Sequence, residues 1–279
     1  TRSILGLPFQ AAIGISSGET NALYAFGAWQ DMGALRAEFE AAEVFTRHLG
    51  GKHGVLRDAW AGMGLADFDW QTWRVAASRA DVEAVLADVP FCALTMVLGP
   101  RDVVIGGHPD ACRRAIAAIG PGAAVPLGYD IAVHAPEVKG YAEAWHAIHR
   151  RPTSPVAGVR FYTHATNQAY EPTADTAADA LLGQALRPID FPAVIAQAYA
   201  DGVRVFVEHG PQGSLAPLIR QVLGDRPHVA VSLDVSGASP LRQLMLALAQ
   251  LLAAGVPVDL DTLAARWDAA YPAHPAAPV

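Results

Sequence analysis

The chain has 279 residues, of which 52% are hydrophobic, enough for a substantial core in one large domain or a domain with a subdomain. Its net charge of −7 and the absence of any basic run argue against a nucleic-acid or acidic-membrane surface, because phosphate binding needs clustered Lys and Arg. There is no uninterrupted apolar run of about 18 residues, so no membrane span is predicted. Two cysteines, Cys92 and Cys112, make neither a disulfide framework nor a CxxC metal pair, which favours a reducing, cytoplasmic setting without a metal site.

The first half of the chain predicts a strand, a broken helical stretch and a compact alternation of strands and helices. Residues 9–15 predict a buried strand, and residues 17–50 predict one or two helices broken near Gly33. Six elements follow in the order strand, helix, strand, strand, helix, strand, at residues 70–77, 79–89, 91–98, 103–107, 109–119 and 123–131. This order is typical of a ferredoxin-like unit.

Strands and helices alternate again after residue 150. Strands are predicted at residues 158–165, 203–210 and 228–234, and helices at residues 175–186, 191–202, 214–224 and 240–255. Such alternation predicts an α/β fold, with a hydrolase-like parallel sheet covered by helices on both faces and an inserted ferredoxin-like α+β subdomain. The predicted boundaries are residues 1–54 and 131–262 for the larger subdomain, 55–130 for the insert and 263–279 for a Pro- and Ala-rich linker.

The segment Gly14-Ile15-Ser16-Ser17-Gly18 fits the G-x-S-x-G pattern of a nucleophile elbow. In such an elbow the serine lies on a strained strand-to-helix turn, and glycines without a Cβ let strand and helix pass close together. The N–H of Ser17, at the start of the helix, is then placed to stabilise an oxyanion. Isolated matches to this pattern are common and mostly mark turns or helix caps, but the strand before Ser16 and the helix after it favour the elbow.

A serine nucleophile needs a base, which is normally a histidine. His134 follows the last strand of the ferredoxin-like unit, where the chain returns to the larger subdomain, and His209 at the end of a later strand is the rival candidate. His108 is expected in a turn before a helix. Charged or polar neighbours predict solvent exposure for four other histidines, namely His48, His53, His146 and His149.

Four segments, taken in chain order, resemble the malonyl/acyl-CoA:acyl-carrier-protein transacylases, a family that includes acyltransferase domains of type I polyketide, fatty-acid and polyunsaturated-fatty-acid synthases. GISSGE, from Gly14, resembles the family's G-H-S-x-G-E, and LGPRDVVIGG resembles N-G-P-x-x-x-V-V-S-G. IAVHAP, at residues 131–136, resembles H-A-F-H-S-P, and FVEHGP resembles F-V-E-V-G-P. The resemblance extends to about residue 262, and several ordered segments are more specific than any single motif.

The resemblance implies roles for individual residues. Ser16 would be the acyl-accepting nucleophile, His134 the base and the Ser17 N–H part of the oxyanion hole. Gln184 matches an Asn or Gln that orients the histidine, and the resemblance argues against His209 as the base. Three further positions match the family's substrate contacts, namely Ile15, Ala41 and Val133.

Several positions depart from the family pattern. Ile15 replaces the usual histidine before the nucleophile, and Ala135 replaces the serine after the catalytic histidine. The arginine of malonyl-specific members is expected 25 residues after the serine, where this chain has Ala41. Arg36 and Arg47 do not fit that register. Because an arginine there would hold a substrate carboxylate as a bidentate pair, its absence favours acetyl or another uncharged acyl group.

The function expected from this resemblance is ping-pong acyl transfer without a bound cofactor. Acyl-CoA would be the substrate and the phosphopantetheine of an acyl carrier protein the acceptor, with neighbouring domains of a megasynthase as further partners. Two alternatives stay open: an editing thioesterase on the same scaffold and a non-catalytic structural domain. The family's upstream strand and its glutamine loop, which completes the oxyanion hole, have no counterpart before Ser16, so we expect the chain to be a fragment.

Overall fold

The computed structural model describes residues 5–120, 122 and 124–270, with side chains up to residue 266. Its contacts divide the chain into two compact units, each of which is described separately. The larger unit comprises residues 11–202 together with 221–223, and the smaller comprises residues 1–10, 203–220 and 224–279.

The described chain contains ten strands and eleven α-helices. The strands are β1 Ala11–Ala12, β2 Gln71–Val75, β3 Cys92–Gly99, β4 Asp102–Gly107, β5 Ala124–Pro126, β6 Arg160–Thr163, β7 Gln168–Tyr170, β8 Ile189–Asp190, β9 Val205–Glu208 and β10 Val229–Ser232. The helices are α1 Ser17–Ala25, α2 Met32–Ala41, α3 Gly54–Ala59, α4 Arg79–Leu86, α5 Pro109–Ile119, α6 Ala142–His149, α7 Ala174–Ala185, α8 Phe191–Ala200, α9 Leu215–Leu223, α10 Pro240–Ala253 and α11 Leu260–Ala270. A π-helix covers Val44–His48 and a 3₁₀-helix covers Pro136–Tyr141.

A five-stranded sheet in the larger unit has the order β5-β2-β4-β3-β8. Its first four strands are antiparallel, while β8 pairs in parallel with β3. Helices α4 and α5 pack on this sheet, where Val82 and Ala115 join the buried strand residues Val75, Val103 and Ile105 in one core. The predicted order of strand, helix, strand, strand, helix and strand is therefore observed, with strand order typical of a ferredoxin-like unit.

A second sheet of the larger unit, β1-β6-β7, carries the segment that precedes Ser16. Strand β1 pairs in parallel with β6, and β7 is antiparallel to β6. The apolar faces of α1, α2 and α7 pack with these strands through Leu23, Leu35, Phe161 and Leu181, which are all buried. Burial of these side chains stabilises the layer by about 1.5–3 kcal/mol for each one.

In the smaller unit, β9 and β10 form a parallel pair. Helix α10 packs against it through Leu248 and Leu251 in a core with Leu5 and Val231. The Glu208 carboxylate accepts hydrogen bonds from the first backbone N–H groups of α9 and from Ser232 Oγ. A carboxylate at this place satisfies unpaired helix donors and interacts favourably with the helix dipole, so the Glu of FVEHGP has a structural role.

The mixed α/β fold predicted from the sequence is confirmed. The strand predicted at residues 9–15 is shorter, only Ala11–Ala12, because the following residues turn into the elbow. Helices α3, α6 and α11 and strands β7 and β8 were not predicted. Residues 263–270 of the predicted linker belong to α11, and residues 271–279 lie outside the described residues.

No helix in the described part of the chain is both long enough and apolar enough to cross a bilayer.

Candidate active site

Ser16 lies on a strained turn between β1 and α1. Its backbone has φ 54° and ψ −122°, in the half of conformational space that a side chain disfavours. Such a residue costs about 1–3 kcal/mol and persists only where the surroundings hold it. Here the Gly18 N–H donates to Ile15 O at 2.8 Å, and Gln184 Nε2 donates to Ser16 O at 3.1 Å. The strained backbone at Ser16 is therefore held by hydrogen bonds on both sides.

The two glycines of the motif have different roles. A Cβ on Gly14 would lie 2.0 Å from the backbone carbon of Gly18 and 2.2 Å from Glu19 N. A Cβ on Gly18 would meet nothing within 4 Å. Strand and helix thus pass close together only at Gly14, and the second glycine is not required by contact.

We predict that Gly14→Ala and Gly18→Ala have opposite outcomes. Gly14→Ala should lower the free energy of unfolding by about 3 kcal/mol or more, at the upper end of overpacking costs, because backbone must move to admit the methyl group. Gly18→Ala should change it by at most about 1 kcal/mol, since Ala is favoured over Gly in a helix. Urea denaturation of both variants measures the difference, and equal destabilisation would contradict the close approach.

His134 contacts the Ser16 hydroxyl directly. It lies after β5 and just before the 3₁₀-helix, with φ 60°, and its Nε2 is 2.9 Å from Ser16 Oγ. Its Nδ1 is 2.7 Å from the backbone carbonyl of Gln184. Because a carbonyl only accepts, Nδ1 carries the ring proton, and Nε2 is left to accept the hydrogen bond from the serine.

Burial holds His134 in its neutral form. Its side chain is almost fully enclosed, and loss of solvation lowers the pKa to about 4, although the hydrogen bond to the Gln184 carbonyl acts in the opposite direction. At neutral pH the imidazole is therefore unprotonated at Nε2. A neutral imidazole within hydrogen-bonding distance of a hydroxyl is the arrangement of a general base and a nucleophile.

The remaining site residues inferred from the sequence divide into two groups. Ser17, Val133 and Gln184 line the cavity that adjoins Ser16 and His134. Ile15 and Ala41 are not among its lining residues, and Ala41 is exposed at the end of α2. Gln184 contacts the site twice, since its backbone carbonyl accepts from His134 and its side chain donates to the Ser16 carbonyl.

The rival base and the other histidines have their own surroundings. The ring of His209 belongs to the smaller unit and lies 6.0 Å from that of Phe9. His108 caps the start of α5, as expected for a turn before a helix. The expectation of solvent exposure was wrong for His53 and His149, which are both buried. The His53 ring contacts the carbonyl of Asp130 at 2.7 Å, and that of His149 packs 4.5 Å from the ring of Trp145.

Two buried polar residues brace the elbow and were not recognised as such from the sequence. Glu19 Oε1 accepts from the backbone N–H of His164 at 2.8 Å, and His164 Nε2 donates to the carbonyl of Gly14 at 2.9 Å. Burial raises the pKa of Glu19 to about 8 and lowers that of His164 to about 4. His164 directly follows strand β6 and lies near the end of the strand predicted at residues 158–165, and this position was the available signal.

These buried groups predict a stability maximum near pH 6.5. Burial lowers the pKa values of His134, His149 and His164 to about 4 each. Below pH 6.5 these histidines therefore become protonated in the unfolded chain while they stay neutral in the folded chain. Stability should then fall by about 1.4 kcal/mol per pH unit for each histidine. Glu19, with its raised pKa, contributes stability that is present below 4.5 and is lost as pH rises through 8.

Denaturation of wild type and Glu19→Gln between pH 4 and pH 8.5 tests this prediction. Glutamine keeps the Oε1 acceptor but does not ionise. The variant should lose the decline that wild type shows above pH 6.5, a difference of roughly 2 kcal/mol by pH 8. Both proteins should still lose stability in acid. Parallel profiles above pH 6.5 would contradict a protonated, buried Glu19.

A cavity of about 550 Å³ opens beside Ser16 and His134. Ser17, Thr20 and Asn21, on the first turns of α1, supply a polar side. The rest of the lining is largely apolar and aromatic, from α2, the π-helix, the loop before His134, α6 and α7. Among the described residues, no group of three or more His, Cys, Asp or Glu side chains is arranged to hold a metal ion.

No protein-family model matches the chain. Among curated proteins, it is 28% identical over 275 residues to one of the proteins that make up the polyunsaturated fatty acid synthase of Thraustochytrium sp.. The match covers 92% of this chain but only 13% of that protein, so the chain corresponds to a small part of its length.

Solved structures share the fold. The acyltransferase domain from the second module of the salinomycin polyketide synthase superposes with a TM-score of 0.74 at 20% identity, over 98% of this chain and 61% of that one. A malonyl-transacylase in complex with its type II polyketide synthase acyl-carrier protein superposes with a TM-score of 0.66 at 18% identity, over 85% and 71%. The resemblance inferred from the motifs is thus confirmed: this chain has the fold of the acyltransferase domains of type I polyketide synthases and of malonyl-CoA:acyl-carrier-protein transacylases.

Proposed function

We propose that this chain transfers an acyl group from acyl-CoA to the phosphopantetheine thiol of an acyl carrier protein, through an ester on Ser16. The observation that carries the proposal is the 2.9 Å contact between Ser16 Oγ, on a strained turn, and the neutral Nε2 of His134. The fold and the synthase relative support the same reaction class. The proposed residue roles are described below for two half-reactions.

In the first half-reaction, Ser16 Oγ attacks the thioester carbonyl while its proton passes to His134 Nε2. The carbonyl oxygen becomes an oxyanion, which the Ser17 N–H and the N-terminal end of the α1 dipole would stabilise. The C–S bond then breaks, the proton moves from His134 to the departing sulfur, and CoA leaves as a thiol. The Gln184 carbonyl stabilises the transient imidazolium through its bond with Nδ1–H.

In the second half-reaction, the carrier thiol gives its proton to His134 and attacks the acyl-serine ester. A second oxyanion forms at the same place and collapses with cleavage of the ester C–O bond. The proton returns from His134 to Ser16 Oγ, so the enzyme is restored and the acyl group leaves on the carrier. A free imidazole is needed at the start of each half-reaction, which the low pKa of His134 provides.

The partners of this reaction belong to the proposal. One solved relative is a malonyl-transacylase bound to its acyl-carrier protein, and the curated relative is part of a synthase. By analogy, a carrier protein and neighbouring synthase domains are the partners proposed here. The reducing, cytoplasmic setting expected from the use of only two cysteines, Cys92 and Cys112, also belongs to the proposal.

Adjacent serines allow a matched test of the nucleophile. Intact-protein mass spectrometry after incubation with acyl-CoA should find one acyl adduct on wild type and on Ser17→Ala, because alanine keeps the backbone N–H at residue 17. Ser16→Ala should show none. The same adduct on Ser16→Ala would contradict the proposal.

Product analysis separates transfer from the alternatives. With carrier protein present, the proposal predicts transfer of the adduct to the phosphopantetheine thiol faster than its release as free acid. Release as free acid in preference to carrier loading would instead identify a thioesterase. Absence of any adduct on wild type with all donors would favour a non-catalytic domain.

A further inference from the structure

Helix α2 presents one apolar face to the cavity beside Ser16. Met32, Leu35, Arg36 and Phe39 all line it, and their spacing of three, one and three residues places them on one side of a helix. Leu35 is buried, whereas the Met32 side chain is 52% exposed. The helix therefore forms an apolar wall that runs from a solvent-exposed rim to a buried interior.

The buried end of the cavity is aromatic and aliphatic. Trp145, His149 and Leu181 line it and are buried. The Phe39 ring lies 6.0 Å from that of Trp145 and 5.4 Å from that of His149. Burial lowers the pKa of His149 to about 4, so this imidazole is neutral at physiological pH. This end offers apolar contact and no charge to a ligand.

The rim is also apolar. Phe45 and Tyr129 line the cavity and are 44% and 37% exposed, in addition to Met32. The Phe45 ring packs 5.3 Å from that of Phe39. Large apolar side chains that stay exposed around a cavity mark the entrance for an apolar ligand rather than for water.

Among the described residues that line the buried end of the cavity, none carries a formal charge that could receive a carboxylate. Of the described lining residues, only Arg36 carries a formal charge, and its Nε bonds Glu40 Oε1 at 2.7 Å. Both side chains of this pair are largely exposed, at 81% and 64%. A carboxylate at the buried end would lose its hydration without a compensating charge, which is strongly unfavourable.

The cavity is also large for a short acyl group. Its volume is about 550 Å³, and at about 30 Å³ for each water-sized group this is room for roughly 18 such groups. An acetyl or malonyl group would leave much of the apolar wall without contact. An acyl chain of about eight carbons or more, together with the end of the thioester arm, would fill a pocket of this size.

We propose that this cavity selects a medium- or long-chain, uncharged acyl group and disfavours acyl groups that carry a carboxylate. The inference rests on the proposed acyl transfer at Ser16 and specifies its substrate class. The acyl chain of the substrate would lie along the face of α2 formed by Met32, Leu35 and Phe39, with the thioester carbon at Ser16. The sequence favoured an acetyl group or another uncharged acyl group, and the size of the cavity favours an uncharged acyl group longer than acetyl.

Single-turnover acylation of the full chain tests the substrate class. Rates of Ser16 adduct formation are compared for acetyl-, malonyl-, octanoyl- and dodecanoyl-CoA. The two longer donors should react at least about tenfold faster than acetyl- and malonyl-CoA, because one methylene in an apolar pocket changes specificity by about 10-fold or more. Arg36→Met should not lower the ratio of the malonyl rate to the acetyl rate, since the Arg36 side chain is 81% exposed and does not belong to the buried end of the cavity.

A larger side chain in the cavity should limit the protein to shorter acyl groups. Leu35→Phe should slow octanoyl and dodecanoyl transfer at least about tenfold while acetyl transfer stays within about twofold. Met32→Trp, at the exposed rim, repeats the test if Leu35→Phe does not fold. Leu86→Phe, on α4 and outside the cavity lining, is the matched control and should leave the chain-length preference unchanged.

The outcomes distinguish this inference from the function on which it rests. Acylation of Ser16 by malonyl-CoA at an equal or higher rate, or its loss in Arg36→Met, would overturn the substrate class and leave acyl transfer standing. Equal slowing of all donors by Leu35→Phe and Met32→Trp would also overturn it. Failure of every donor to acylate Ser16 would overturn both.

Discussion

The close approach of Gly14 to the first turn of α1 is the constraint on which the site depends. With no room for a Cβ at residue 14, strand and helix meet in a turn that leaves Ser16 with a positive φ. The strain is held by hydrogen bonds from Gln184 to Ser16 O and from His164 to Gly14 O. The hydroxyl is therefore already in position before a substrate arrives, as electrostatic and orientational catalysis require.

A single structural feature, burial of the site in the larger unit, explains the site's acid-base chemistry. It lowers the pKa of His134, which therefore stays neutral and can accept a proton. It also raises the pKa of Glu19, so the Glu19 carboxyl group supports the turn in its protonated form, without a negative charge. The same enclosure leaves an apolar cavity beside the nucleophile, so reactivity and acyl selection share one cause.

Most of the fold could be predicted from the sequence because it depends on local patterns, and the contact of Ser16 with His134 was anticipated from the elbow pattern together with the family resemblance. Hydrophobic periodicity marked the long helices and strands, and the flanking strand and helix distinguished the elbow from a chance match. The histidine motif located His134 by resemblance. What failed depends on tertiary contact: Glu19 and His164 meet across 145 positions, and His149 is buried by aromatic packing that its polar neighbours gave no reason to expect. The residues that line the cavity could not be predicted either, since its walls come from separate helices.

The rate at which a fluorophosphonate labels Ser16 in wild type and in His134→Gln measures most directly whether the imidazole activates the serine. Labelling needs a hydroxyl activated by a neutral base, so we expect efficient modification of Ser16 in wild type. Removal of the base should slow it by about 10²–10⁴-fold. Equal labelling rates in the two proteins would show that the imidazole does not activate the serine, and would contradict the role of His134 as general base.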